Sequence, residues 1–262
     1  MLVTVERVRR QNQGQTSARE GLWSSRRWCE YFRTNATRLL ALPWQRGPEL
    51  TEQEKAAVAA SLQDFQLGEQ SEGHHLRRRA AEYAAEIGDP HYEEAVALFI
   101  AEEQRHSRDL GRVLTKEEIP LLRKSRLDGV FRLLRRLAGL ELMLVVLLTA
   151  EAIGMVYYLA IRRATRSTLL RRLCDQLSRD EVQHLRFHAE RLARLRTGRR
   201  RWRVWLACRW HRALLLGTCV MVWCKHRRAL RAGGQTFGRF LHDCRRTLAG
   251  ILRRADPRRY SR

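Results

Sequence analysis

The chain has 262 residues, with 51 Lys and Arg against 28 Asp and Glu, a formal net charge of +23 and 44% hydrophobic residues. That apolar fraction excludes a disordered chain despite the charge, while five prolines and 16 glycines argue against a loop-rich β-sandwich and leave room for long helices. Six cysteines without a C-x-x-C pair, in a chain much longer than a disulfide-stapled module, point to reduced thiols and a cytoplasmic protein. The opening MLVTVERVRR has no apolar run of the kind a secretory leader carries. Charge is unevenly spread. Residues 189–262 hold 21 Lys and Arg to 3 Asp and Glu, whereas residues 51–120 hold 8 to 15.

In chain order, residues 19–40 read as a helix carrying Trp23, Trp28 and Phe32, and Pro43 and Pro48 mark a linker. Thr51 with Glu54 forms a capping box, so a long helix should begin there and run to Ile87, where Gly88 stops it. Asp89 caps the next helix, which has Pro90 at its first position and ends near Leu114. Further helices are expected over 126–163, 168–196, 201–231 and 236–254, with Gly198, Gly233 and Gly234 as breaks. No strand pattern stands out. The expected fold is all-α, with residues 1–50 as an N-terminal helix and linker, 51–198 as a four-helix bundle, and 199–262 as a basic helical extension.

The four long helices of 51–198 each carry an apolar seam in alternating steps of three and four residues, the mark of one buried helical face. Polar groups interrupt each seam near its middle. They are Glu69 and Glu72 in the first helix, Glu103 and His106 in the second, Glu151 in the third, and Glu181, His184 and His188 in the fourth. A buried carboxylate without a partner costs several kcal/mol, so converging glutamates need positive charge between them. Two divalent cations balance four carboxylates, and neutral imidazoles add ligands without disturbing that balance. Positions i and i+3 share a helical face, so Glu-x-x-His can present both groups to one site. With 20 Glu and nine His, about 0.7 such spacings are expected by chance. Three occur, at Glu72–His75, Glu103–His106 and Glu181–His184, and the last two lie in seams.

At 1.5 Å per residue, Glu151 and Glu181 each lie about 22 Å from the turn near residue 166, so they should meet at one height. Glu103 lies about 20 Å past Pro90, which Glu72, about 22 Å before Ile87, matches better than Glu69 at about 27 Å. The expected ligands are therefore Glu72, Glu103, His106, Glu151, Glu181 and His184, with Glu69 as an additional carboxylate. His188, one turn beyond His184, is a further ligand, a proton relay or a core histidine. Carboxylate and imidazole donors suit a dinuclear iron site, with manganese or a mixed pair as alternatives, whereas thiolates would suggest zinc.

Over about residues 51–196 the chain resembles the ferritin-like di-iron carboxylate proteins, in the runs Glu102-Glu103-Gln104-Arg105-His106 and Asp180-Glu181-Val182-Gln183-His184. By that resemblance Asp180 would orient His106 and Glu102 would orient His184, each from the opposite helix; the other reading of Glu102 is a solvent-facing charge. The resemblance also implies iron chemistry with O2 or peroxide, in an oxidase or oxygenase acting on a small molecule or RNA. The alternative is a non-catalytic iron-binding bundle with the basic region as an anchor.

Two segments bear on location. The run between Glu141 and Arg162 is long enough to cross a bilayer, yet Glu151 sits at its centre, which favours a helix buried in protein. In the basic extension, arginines interleave with Trp202, Trp205, Trp210 and Trp223, a composition that suits nucleic acid, an anionic membrane surface or an acidic redox partner. The expected location is cytoplasmic or peripheral to a membrane.

Overall fold

The computed structural model describes residues 21–70, 73–122 and 139–260, and among them every regular element is helical. In chain order these are α1 (Ser25–Thr37), α2 (Glu52–Glu69), α3 (His74–Ile87), α4 (Pro90–Lys116), α5 (Leu140–Ala164), α6 (Thr168–Arg196), α7 (Arg201–Ala232) and α8 (Phe237–Arg254), with a 3-10 turn at Pro257–Arg259.

Several boundaries follow from local chemistry. Thr51 and Glu54 form the reciprocal capping box at the start of α2. Gly88 ends α3 in the left-handed conformation at φ +65°, which glycine adopts without steric cost. Asp89 behaves otherwise than expected. Its side chain makes no cap bond, because the carboxylate is drawn away by Ser25 Oγ at 2.6 Å and lies 3.6 Å from Arg191.

The single helix expected over 51–87 is two. α2 ends at Glu69 and α3 starts at His74, after Gly73 at φ +65°. A Cβ at Gly73 would come within 2.5 Å of the Ile100 side chain, so the chain passes against α4 where only glycine fits. The straight-helix arithmetic that ranked Glu72 ahead of Glu69 assumed one unbroken rise from Ile87, and that assumption fails here. Glu72 itself lies outside the described residues, as do 126–138 at the start of the third expected helix.

α5 is the described helix long and apolar enough to cross a membrane, and most of it is buried inside the protein. Arg162 and Asp175 pair across the α5–α6 hairpin, whose three-residue turn sets the two helices side by side. α4 packs on α2, α1 and α3 and also touches α6, while α2 touches α5. α7 lies across α5 and α2, and α8 packs on α5, α6 and α7. One core cluster runs through α2, α4, α5, α6, α7 and α8, from Val58 and Leu62 to Phe240 and Leu248. A second joins α1, α3, α4 and the start of α5, with Phe187 of α6, around Trp28, Phe32, Tyr92 and Phe99.

The tightest seat for α7 is Gly233 at its C-cap. A Cβ there would stand 2.2 Å from the Ala160 carbonyl oxygen of α5, and a backbone atom inside a helix cannot yield. Gly233→Ala should therefore destabilise the protein by about 3 kcal/mol. Urea unfolding would show this, and a change below about 0.5 kcal/mol would mean that α7 docks elsewhere.

Candidate metal centre

Four helices deliver the cluster. Gln66 and Ser107 exchange hydrogen bonds between α2 and α4, at 2.9 and 3.0 Å, and so hold the last turn of α2 against α4. That places Glu69 beside Glu103 and His106, with ligand atoms within 4.8 Å of one another. Glu103, Glu151, Glu181 and His184 form a second group of the same compactness. Glu103 belongs to both. Its Oε1 lies 3.0 Å from His184 Nδ1 and 3.5 Å from His106 Nδ1.

The histidines are cross-braced. His106 of α4 directs Nε2 to Asp180 of α6 at 3.1 Å, and His184 of α6 directs Nε2 to Glu102 of α4, also at 3.1 Å. With Nε2 directed outward to a carboxylate, each ring turns its Nδ1 toward the glutamates, where loss of the Nδ1 proton would free a lone pair for a metal. Asp180 is itself gripped by Arg105 at 2.6 Å, by the Gln176 amide at 2.9 and 3.0 Å, and by the Asn35 amide at 2.9 Å. Asn35 also donates to Glu102 at 2.9 Å, so one amide from α1 ties both outer carboxylates together.

No protein family, curated protein or solved structure matches this chain.

Inside the cluster, Glu103 Oε1, Glu181 Oε2, His106 Nδ1 and His184 Nδ1 are all buried, and none has a hydrogen-bond partner. Their separations are short, but their orientations are not those of mutual hydrogen bonds. Buried polar atoms without partners are costly, and four of them converging on one space form a donor set to which a cation is the fitting complement. The donors are carboxylate oxygens and imidazole nitrogens with no thiolate among them.

Protonation in the metal-free cluster follows from the same crowding. Burial opposes charge on His106, yet hydrogen bonding to Asp180 and the nearness of Glu103 push its pKa up to about 10. His184 is likewise raised against its burial by Glu102 and Glu103. Glu103 overcomes burial through the two histidines and is held well below the usual carboxylate range. Burial and neighbouring glutamates push Glu69 and Glu181 well above it. Without metal, the centre therefore holds a proton on His106 near neutral pH, and the shifts of His184, Glu69 and Glu181 all run in the direction of proton uptake.

His188 stands apart from both groups. It is fully buried against Phe99 and Phe187, with ring centroids at 4.5 and 5.0 Å, and neither nitrogen has a hydrogen-bond partner. Burial, then the charge of His184, pushes its pKa down to about 3. It is an uncharged core histidine of unusual cost, one turn from the cluster.

Two contacts escaped the sequence. Asn35 lies 67 and 145 residues from its partners, and a lone Asn on a separate helix has no periodic signature. Tyr158 falls on the α5 seam, where it reads as core, yet its hydroxyl donates to Glu69. Cys29, His91 and Glu94 also lie close together, but the Cys29 thiol donates to the His91 carbonyl at 3.3 Å and Glu94 is paired with Arg33. Those atoms have protein partners already.

Proposed function

We propose that this chain is a ferritin-like protein in which α2, α4, α5 and α6 form a four-helix bundle around two metal ions. Glu69, Glu103, His106, Glu151, Glu181 and His184 are the ligands, and iron is the favoured metal, ahead of manganese. The observation that carries this reading is the set of four unpartnered, buried donor atoms, with both histidines locked from behind by Asp180 and Glu102. The packing supports it, because α2 meets α4, α4 meets α6, α6 meets α5 and α5 meets α2.

When bound, an iron pair in such a donor set supplies redox chemistry toward O2 or peroxide, so an oxidase or oxygenase is the activity inferred. The chain's own share is positional. Asp180 and Glu102 hold the imidazole tautomers, Glu103 serves both halves of the site, and Tyr158 orients Glu69 by donating a hydrogen bond to it. Phe32 and Phe99 pack on the His184 ring, with centroids at 6.2 and 4.8 Å, and limit water on that side.

The test is anaerobic titration with ferrous ion, read by metal content and calorimetry. About two ions per chain are expected, with release of protons, that of His106 among them. Each displaced proton raises the apparent affinity about tenfold per pH unit while its group remains protonated in the free protein. Binding should thus tighten from pH 6 to pH 8, where His106 is still protonated in the free protein, and weaken as the pH falls. Uptake that is independent of pH, or that releases no protons, would point to surface carboxylates and overturn the reading.

A further inference from the structure

The outer face of α7 plays no part in the metal centre, and its composition is unusual for a surface. Residues 202, 206, 209, 213, 216, 220 and 224 recur in steps of three and four, so they share one side of the helix. The opposite side, with His211, Leu215, Val222 and Ala229, is buried against the protein. The outward side exposes Trp202, Trp205 and Trp210 at 56, 59 and 69%, followed by Leu216, Val220 and Met221. From Ala213 to Cys224 there is no charged residue, and all 32 residues of α7 include no Asp or Glu. Exposed arginines border this stripe, with Arg201 and Arg212 along one side and Arg203 and Arg228 along the other. Arg203 and Arg209 lie over the Trp202 and Trp205 rings at 5.4 and 5.1 Å.

Beside the first half of α7 opens a groove of about 1040 Å³, rimmed by Leu142, Leu206, Arg194 and Arg199. Of the three acids along it, Glu82 pairs with Arg79 and Glu141 with Arg196 and Arg199, while Glu86 is exposed. Its cationic rim and apolar floor continue the character of the α7 face.

We propose that this face of α7 docks on an anionic membrane surface, lying in the plane of the interface. Tryptophans seat at the headgroup level, aliphatic side chains enter the acyl boundary, and flanking arginines reach phosphate oxygens. The uncharged run spans about 18 Å, short of the ~30 Å hydrocarbon core, and the inner side of the helix is already covered by protein. A spanning arrangement is thereby excluded. Nucleic acid fits less well, since bases stack on aromatic rings, and the second half of the stripe offers only Leu216, Val220 and Met221. The inference is independent of the metal centre.

The test floats the full-length protein with vesicles of phosphatidylcholine alone or with about a third phosphatidylglycerol. The wild-type chain should bind only the anionic vesicles, with a blue shift of tryptophan emission. Two variants separate the contributions: Trp202→Ser/Trp205→Ser/Trp210→Ser, and Leu216→Glu/Val220→Glu. All five positions are exposed, so melting curves should match wild type, while vesicle partition falls roughly tenfold or more in each. Absence of binding to anionic vesicles, or binding that both variants retain, would overturn the proposal. So would loss of single-stranded RNA affinity in the tryptophan variant with vesicle binding unchanged, or a dimer in sedimentation that Leu216→Glu/Val220→Glu dissociates.

Discussion

Glu103→Gln should reduce metal content from about two ions per chain to about none, whereas Glu151→Gln should leave about one. The difference rests on position. Glu103 belongs to both ligand groups and lies against Nδ1 of both His106 and His184, while Glu151 belongs to one. Glutamine keeps the shape and removes the anion, so the effect isolates charge and coordination from packing. The metal-free Glu103→Gln protein should also release fewer protons on any residual loading, because two imidazoles have lost the carboxylate that holds their protons. Elemental analysis after anaerobic loading and desalting gives the stoichiometry directly. Equal losses from Glu103→Gln and Glu151→Gln would mean that the two groups are one site.

The second large effect is expected at Asp180, which braces His106 from behind. Asp180→Ala removes the acceptor for His106 Nε2, Arg105, Gln176 and Asn35 at once, and Arg105, largely buried, loses its closest carboxylate and keeps only Asp109 and Glu102, at 3.7 and 3.8 Å. Breaking a buried ion pair from one side typically costs about 3–5 kcal/mol, and loss of an orienting partner typically weakens metal binding by about 10–100-fold. Both should appear in the same variant, the first in urea unfolding of the metal-free protein and the second in metal titration. Asp180→Asn keeps one oxygen as an acceptor and should lose less of each. A destabilisation below about 1 kcal/mol in Asp180→Ala would contradict the enclosed, four-donor environment described for this carboxylate.

These two residues were not equally visible. Glu103 interrupts an apolar seam and is followed by His106 three residues later, so helical periodicity alone marks it. The same holds for Glu151, Glu181 and His184, each of which sits where a core residue belongs. Asp180 shares its helix with Glu181 but points away from the seam, and only likeness to a family singled it out. Asn35 had no mark of any kind, since it reaches the site from a helix whose sequence shows only an aromatic face.

The break in the first long helix was not legible in the spacing of its residues. Spacing along an ideal helix ranked Glu72 over Glu69, but α2 ends at Glu69, and Gly73 meets Ile100 too closely for any side chain. A glycine inside a periodic segment does not announce a break, because its cost in a helix is small and the obstacle it avoids belongs to another element.

The sequence by itself determined that the chain is helical, that Thr51 with Glu54 starts a helix and Gly88 stops one, and which side chains interrupt the buried faces. Those are properties of neighbours within a few residues, set by hydrogen bonding at helix ends and by a period of 3.6. Only the tertiary structure decided that Glu103 serves two groups, that His106 and His184 are braced across α4 and α6, and that Asn35 joins Glu102 to Asp180. These depend on which helices face each other and at what height, and no local energy encodes that. It is settled when the cores close around Trp28 and Tyr158 and bring distant polar groups within reach of one another.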